Sequence, residues 1–147
     1  GSPAGIASLY MTAYASDLKA IVLEKDASSA ETTVWSLQKY HSKARLCPGD
    51  YEQTLPAALQ ELGQVDFVFF QAAQEKEKNR FYFEEAMKHI QPDTVFFLEG
   101  IRANQEMRAL WKEICNRKDV ILTFDLYQIG IVIFQPRFYK KNYVVYF

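Results

Sequence analysis

Apolar and polar positions alternate along this chain between short apolar runs and longer amphipathic segments. The short apolar runs predict β-strands, which lie at 20–23, 44–47, 66–70 and 94–98. In the other segments, apolar residues recur every three or four positions and predict helices. These lie at 7–15, 28–41, 51–62, from 75 to 89 or 90, and 103–117. Alternation of strands and helices predicts an α/β fold with helices on both faces of the sheet.

Capping and breaking residues set the expected helix ends. Ser28 or Ser29 is placed to cap the helix over 28–41, and Gly63 to end the helix over 51–62. Pro92 ends the charged helix that begins at 75. The inward face of that charged helix is drawn from Phe81, Phe83, Ala86, Met87 and Ile90. The apolar stripe of the last helix is Met107, Leu110, Trp111 and Ile114.

The alternation of strands and helices stops near the carboxyl end. Two apolar runs, 119–125 and 129–134, are separated by only three residues, and so short a link permits only an antiparallel hairpin. A last strand is expected at 143–147. The earlier run 66–70 is apolar on both faces, which predicts a strand that is covered on both sides. The whole chain, 1–147, is therefore predicted to be one Rossmann-like, doubly wound, mostly parallel α/β domain that ends in an antiparallel hairpin.

Composition narrows the classes of function. The net charge of -1 argues against general binding to nucleic acid or to an anionic membrane. No apolar run approaches the roughly 20 residues of a membrane span, and no basic and apolar leader opens the chain. Cys47 and Cys115 stand alone and far apart, so we expect free thiols and a cytoplasmic protein. Gly1 and Ser2 can also be the remnant of a cleaved tag.

Candidate binding residues follow the strands, because ligands of such sheets lie outside the carboxyl ends of the strands. Gly1 and Gly5 flank a tight turn before the amphipathic run 7–15, and the next strand stops on Glu24. Such glycines let the backbone approach a nucleoside-bearing cofactor, and the carboxylate takes the ribose hydroxyls. Further candidates at strand ends are Gly49, Asp50, Tyr51, Gln71 and Glu99.

These motifs, in this order, resemble those of the class I S-adenosylmethionine-dependent methyltransferases over nearly the whole chain. The carboxyl-terminal hairpin, 122–134, is especially similar to a bacterial O-methyltransferase-like subgroup. The resemblance implies a transferase with S-adenosylmethionine as cofactor and a small-molecule acceptor of unknown identity. It implies that the glycine-rich turn at Gly1 and Gly5 binds the cofactor and that Glu24 binds its ribose. It also implies that Gly49 and Asp50, before Tyr51, contact the adenine amino group.

The sequence also departs from the pattern of that family. Nothing precedes Gly1, where a first strand is expected. After the fourth family strand the related turn is Asp-Gly-Asn-His, and here residues 71–74 read Gln-Ala-Ala-Gln. After the fifth the related turn is Asp-Asp-Ile-His, and here residues 99–102 read Glu-Gly-Ile-Arg. The general base and the metal ligands are therefore missing from both turns, and we predict no metal.

Each candidate also has a plainer interpretation. Asp50 can be only a helix N-cap, and Glu24 or Glu99 only a polar strand end. Gln71 and Gln74 are weaker candidates for a cofactor or substrate contact. His41 and His89, near helix ends, are expected at the surface.

Two functions stay open from the sequence. One is a methyltransferase of unknown acceptor. The other is a non-catalytic methyltransferase-like domain that dimerises through its aromatic tail, 138–147, or through a sheet edge.

Overall fold

The chain folds into two units, Gly1–Leu62 and Gly63–Phe147, and each has its own β-sheet. The computed structural model describes residues 8, 10, 11, 18–71 and 76–146. The strands are β1 (Ile21–Glu24), β2 (Arg45–Pro48), β3 (Val65–Gln71), β4 (Ile90–Glu99), β5 (Leu122–Leu126), β6 (Ile129–Ile133) and β7 (Lys141–Val144). The helices are α1 (Ala27–Lys39), α2 (Tyr51–Leu62), α3 (Lys76–Met87) and α4 (Gln105–Asn116).

In the first unit, β1 and β2 pair in parallel, with Ile21 opposite Arg45 and Glu24 opposite Pro48. Helix α1 connects the two strands and α2 follows the second. The predicted serine cap of α1 is wrong. Asp26 is the cap, because its carboxylate accepts the N–H of Ser29 at 2.8 Å. A hydrogen bond from the Ser28 side chain is the main reason that the pKa of Asp26 is lowered. The buried residues of these elements include Val22, Ala30, Leu37, Ala58 and Leu59.

In the second unit, five strands form a mixed sheet in the order β3-β4-β6-β5-β7. Strands β3 and β4 are parallel, as are β5 and β7, whereas β6 is antiparallel to both β4 and β5. The predicted hairpin is therefore confirmed, and its second strand lies between β4 and β5. The α/β class with a mixed, Rossmann-like sheet is also confirmed.

Helices α3 and α4 of this unit pack on the same face of the sheet. The ring of Phe83 on α3 meets that of Phe96 on β4 edge-on, with centroids 5.7 Å apart. Trp111 of α4 lies against Gly130 of β6. The predicted stripe of α4 is confirmed, since its four apolar residues are all buried. This helix begins after Asn104, whose side chain accepts the N–H of Met107 at 2.8 Å.

Three predictions for the second unit are wrong. Ile90 is not on a helix but begins β4, where it pairs with Val65. The hydroxyl of Thr94 fixes this start, because it donates to the carbonyl of Val65 and accepts the N–H of Gln91. The last strand is Lys141–Val144 rather than 143–147, since it pairs in parallel with β5. Strand β3 is not covered on both sides: Phe67 is 43% exposed, and β4 is the strand that pairs with β3.

No helix in the described part of the chain is long and apolar enough to cross a membrane. Cys47 and Cys115 are both free thiols, as predicted.

Candidate functional site

The carboxyl ends of β1 and β2 bring together Glu24, Gly49, Asp50 and Tyr51, four of the predicted cofactor-binding residues. The N–H of Gly49 donates to the carbonyl of Glu24 at 2.9 Å, which continues the parallel pairing one residue beyond the strands. Helix α2 begins directly afterwards at Tyr51. The parallel pairing of two strands thus places residues 24 and 49–51 at one edge of the sheet.

Gly49 is required by the backbone of this turn. Its φ of +136° lies in a region that side chains other than glycine rarely adopt. A Cβ at this position would also lie 3.1 Å from the Cγ2 of Thr54. The backbone therefore turns tightly here and leads directly from β2 into α2.

Asp50 hydrogen-bonds the first turn of α2 and also lies near Lys25, which follows β1. Its carbonyl accepts the N–H of Thr54 at 2.9 Å, and its carboxylate lies 3.6 Å from the ammonium of Lys25. A hydrogen bond with the side chain of Glu52 lowers the pKa of Asp50, and the positive charge of Lys25 lowers it further. Asp50 is thus an ionised, largely exposed carboxylate at the end of the helix where the dipole favours an anion.

Glu24 is buried rather than solvated. It is only 4% exposed, and its Oε1 has no hydrogen-bond partner in the described part of the chain. Burial raises the pKa of the nearby Tyr51, and the negative charge of Glu24 raises it further. An unsatisfied buried oxygen costs about 1–3 kcal/mol. Within the described residues, this oxygen is therefore a buried acceptor without a donor.

The other predicted cofactor residues are not in this group. Gly1, Gly5 and the helix over 7–15 fall largely or wholly outside the described residues, as does Gln74. Gln71 lies in the second unit, at the end of β3, where it pairs with Glu99 at the end of β4. His41 is exposed, and the Nδ1 of His89 is 2.6 Å from the carbonyl oxygen of Gly63.

Glu99 borders a small cavity of about 10 Å³ in the second unit. Its remaining lining residues are Phe70, Asn79, Phe83, Leu98, Met107 and Leu110. This volume is about that of one water molecule, so the cavity as it stands is too small for a cofactor or substrate. Over the described ranges, no three His, Cys, Asp or Glu side chains are grouped to hold a metal ion.

A second cluster, which the sequence did not predict, centres on the buried Asp125 of β5. Its carboxylate accepts the Nη2–H of Arg102 at 2.7 Å, the Nε1–H of Trp111 at 3.2 Å and the N–H of Tyr127 at 3.0 Å. One signal was present in the sequence: an aspartate at a core-facing position of an apolar strand needs buried partners. Trp111 is thus more than the packing residue that its apolar stripe indicated.

No protein-family model and no curated protein sequence matches the chain. Solved structures do match it. The O-methyltransferase from Bacillus cereus, in complex with SAH, is 19% identical; the match covers 90% of this chain and 71% of that one, with a TM-score of 0.69. The O-methyltransferase TomG from Streptomyces achromogenes, in complex with SAM, is 18% identical. This match covers 92% of this chain and 70% of that one, with a TM-score of 0.73.

The SAH-bound methyltransferase PaMTH1 from Podospora anserina is 13% identical over 92% of this chain and 69% of that one, with a TM-score of 0.74. Identities this low establish architecture and not activity. The chain therefore has the fold of the O-methyltransferases of class I, which confirms the resemblance at the level of the fold.

Proposed function

We propose that this chain binds S-adenosylmethionine and transfers its methyl group to a small-molecule acceptor. The observation that carries the proposal is the buried Glu24, whose Oε1 lacks a partner in the described part of the chain and lies at the carboxyl end of β1. A carboxylate in this position suits the two hydroxyls of a ribose. Two of the matching O-methyltransferases were solved with SAH or SAM bound.

The residues around Glu24 fit the rest of a nucleoside. Gly49 lets the backbone approach the ligand closely, and the ionised Asp50 is an acceptor for an exocyclic amino group. Tyr51 is half-buried and offers an aromatic surface beside Glu24. The cofactor, when bound, supplies a methyl group on a sulfonium that is already a strong electrophile. The protein's own task is to orient the acceptor and exclude water.

Thermal unfolding with S-adenosylmethionine or S-adenosylhomocysteine tests this proposal. A ligand at one hundred times its Kd stabilises the folded state by about 2.7 kcal/mol, which is on the order of 5–10 °C in Tm for a chain of this size. Glu24→Met should abolish the shift. In the ligand-free protein the same substitution should leave the unfolding free energy unchanged or raise it by about 1 kcal/mol, because it removes an unsatisfied buried oxygen.

Glu61→Gln is the matched control, because Glu61 is an exposed glutamate of the same unit that pairs with Arg45. It should keep the full shift. If the unaltered chain shows no shift at millimolar ligand, the proposed cofactor site is refuted.

The second candidate function is a non-catalytic methyltransferase-like domain that dimerises. It is favoured by β7, an edge strand exposed along its whole length, and by the neighbouring Tyr139 and Tyr146, which are 94% and 88% exposed. Sedimentation of the ligand-free chain should then show a dimer that dissociates on dilution. A strict monomer that binds the cofactor would exclude this candidate. A cytoplasmic location stays a prediction from the two free cysteines.

A further inference from the structure

Two arginines lie together just after the carboxyl end of β4. Arg102 follows the strand by three residues, and its Nη2–H donates to the carboxylate of Asp125 at 2.7 Å. Arg108, on the first turns of α4, donates its Nη2–H to the backbone carbonyl of Arg102 at 3.3 Å. The guanidinium of Arg108 therefore lies against the backbone of Arg102, and we call these two residues the arginine pair.

The buried carboxylate of Asp125 fixes the position of Arg102. Because Trp111 and Tyr127 also donate to this carboxylate, it cannot turn away from the arginine. An arginine has five N–H donors, and Nη2 is the one that Arg102 uses within the described part of the chain. Its Nε is buried there without an acceptor. The guanidinium is thus oriented by the protein but far from saturated.

The two arginines differ in their ion pairs. Asp125 forms an ion pair with Arg102. Among the described residues, no carboxylate forms an ion pair with Arg108. A guanidinium fork without such a partner suits an anionic ligand and matches the geometry of a carboxylate.

Tyr127 completes the cluster with an exposed ring. Its φ of +68° is unusual for a residue with a side chain, and its ring is 61% exposed. Tyr127 is the first residue of the two-residue link between β5 and β6, and tight hairpin turns require such a backbone. Its N–H donates to Asp125. The guanidinium carbon of Arg102 lies 5.3 Å from the centre of the ring.

We propose that Arg102, Arg108 and Tyr127 bind the carboxylate group of an organic acid. Binding of the acid does not depend on the proposed function. The arginines hold the carboxylate, and Tyr127 provides an aromatic surface for the organic part of the acid.

Nuclear magnetic resonance of the ¹⁵N-labelled full chain tests the binding step with benzoate as the probe. The indole N–H of Trp111 donates to the same carboxylate as Arg102, so its signal should shift on titration and saturate with a Kd of about 1 mM. The indole signal of the exposed Trp35 should not move. Benzamide, which is uncharged and of similar shape, should bind at least tenfold more weakly, about the loss expected for one charge-assisted hydrogen bond.

Arg108→Gln should weaken benzoate binding about tenfold or more, by the same reasoning. Arg80→Gln is the matched control, because Arg80 is an arginine of the same unit that pairs with Glu113. Three results would overturn the proposal: no shift of the Trp111 signal, equal effects of the two substitutions, or tighter binding of inorganic phosphate than of benzoate.

Discussion

Replacing Gly130 with alanine adds a methyl group at a point where β6 touches the second cluster. The new Cβ would lie 2.6 Å from both Cη2 and Cζ3 of Trp111 and 3.0 Å from the Cγ2 of Ile101. Trp111 is 7% exposed and Ile101 is fully buried, so neither can move aside into solvent. The ring of Trp111 must therefore shift, and with it the indole N–H that donates to Asp125.

Two costs add in this variant. Forcing an extra methyl group into a well-packed core costs about 1–3 kcal/mol. Weakening a hydrogen bond to a charged group costs up to about 1.5–3 kcal/mol more. We therefore expect Gly130→Ala to lower the unfolding free energy by about 2.5–6 kcal/mol, a large part of the 5–15 kcal/mol that is typical of a domain. The corresponding fall in Tm is on the order of 10 °C.

Urea unfolding followed by circular dichroism measures this loss, with Gly63→Ala as the matched control. A Cβ at Gly63 meets nothing within 4 Å, so only the strain of its φ of +77° is added, about 1–2 kcal/mol. Trp111→Phe removes the outer ring that the new methyl group strikes. The double variant, Gly130→Ala with Trp111→Phe, should be about as stable as Trp111→Phe alone. The interaction free energy between the two substitutions should therefore be opposite in sign to the loss of stability that each causes alone. If Gly130→Ala is no less stable than Gly63→Ala, or if Trp111→Phe rescues nothing, the packing argument fails.

Two further predictions concern the carboxyl end of α4. Lys140→Met removes an ammonium that donates to the carbonyls of Cys115, Arg117 and Val120 at 3.0, 2.6 and 2.8 Å. It should cost about 1–2 kcal/mol and speed hydrogen exchange in β7, whereas Lys141→Met should not. A hydrogen bond from Arg117 is the main cause of the lowered pKa of Asp119, so this residue stabilises the fold above its unfolded pKa. The unaltered chain should therefore be more stable in urea than Asp119→Asn at neutral pH. This difference should vanish as the pH falls through the lowered pKa of Asp119. A difference that stays constant with pH would contradict this prediction.

Much of the fold could be predicted from local signals. Helix α2 runs from Tyr51 to Leu62 as expected, because Pro48 and Gly49 end the preceding strand and Gly63 ends the helix. The buried stripe of α4 followed from helical spacing, and the hairpin from a link too short for any other connection. In each case the decisive residues lie close together in the sequence.

The boundaries that could not be predicted depend on distant partners. Ile90 continues a helical pattern, yet pairing with Val65 and the hydroxyl of Thr94 make it the start of β4. The exposure of Phe67 depends on which strands lie beside β3, and an apolar run does not contain that information. Single-strand patterns likewise could not reveal that Arg102, Trp111 and Tyr127 converge on Asp125.

The two buried carboxylates, Glu24 and Asp125, illustrate the limit most clearly. Each ends or interrupts an apolar strand, yet only Glu24 was predicted from the sequence to bind a ligand. In the structure, the carboxylate of Asp125 accepts three hydrogen bonds, whereas the Oε1 of Glu24 accepts none from the described residues. A satisfied carboxylate stabilises the fold and orients its donors, and an unsatisfied one costs stability until a ligand supplies the missing donor. The number of donors around each oxygen therefore distinguishes Asp125, which positions an arginine, from Glu24, which we propose to bind a ribose.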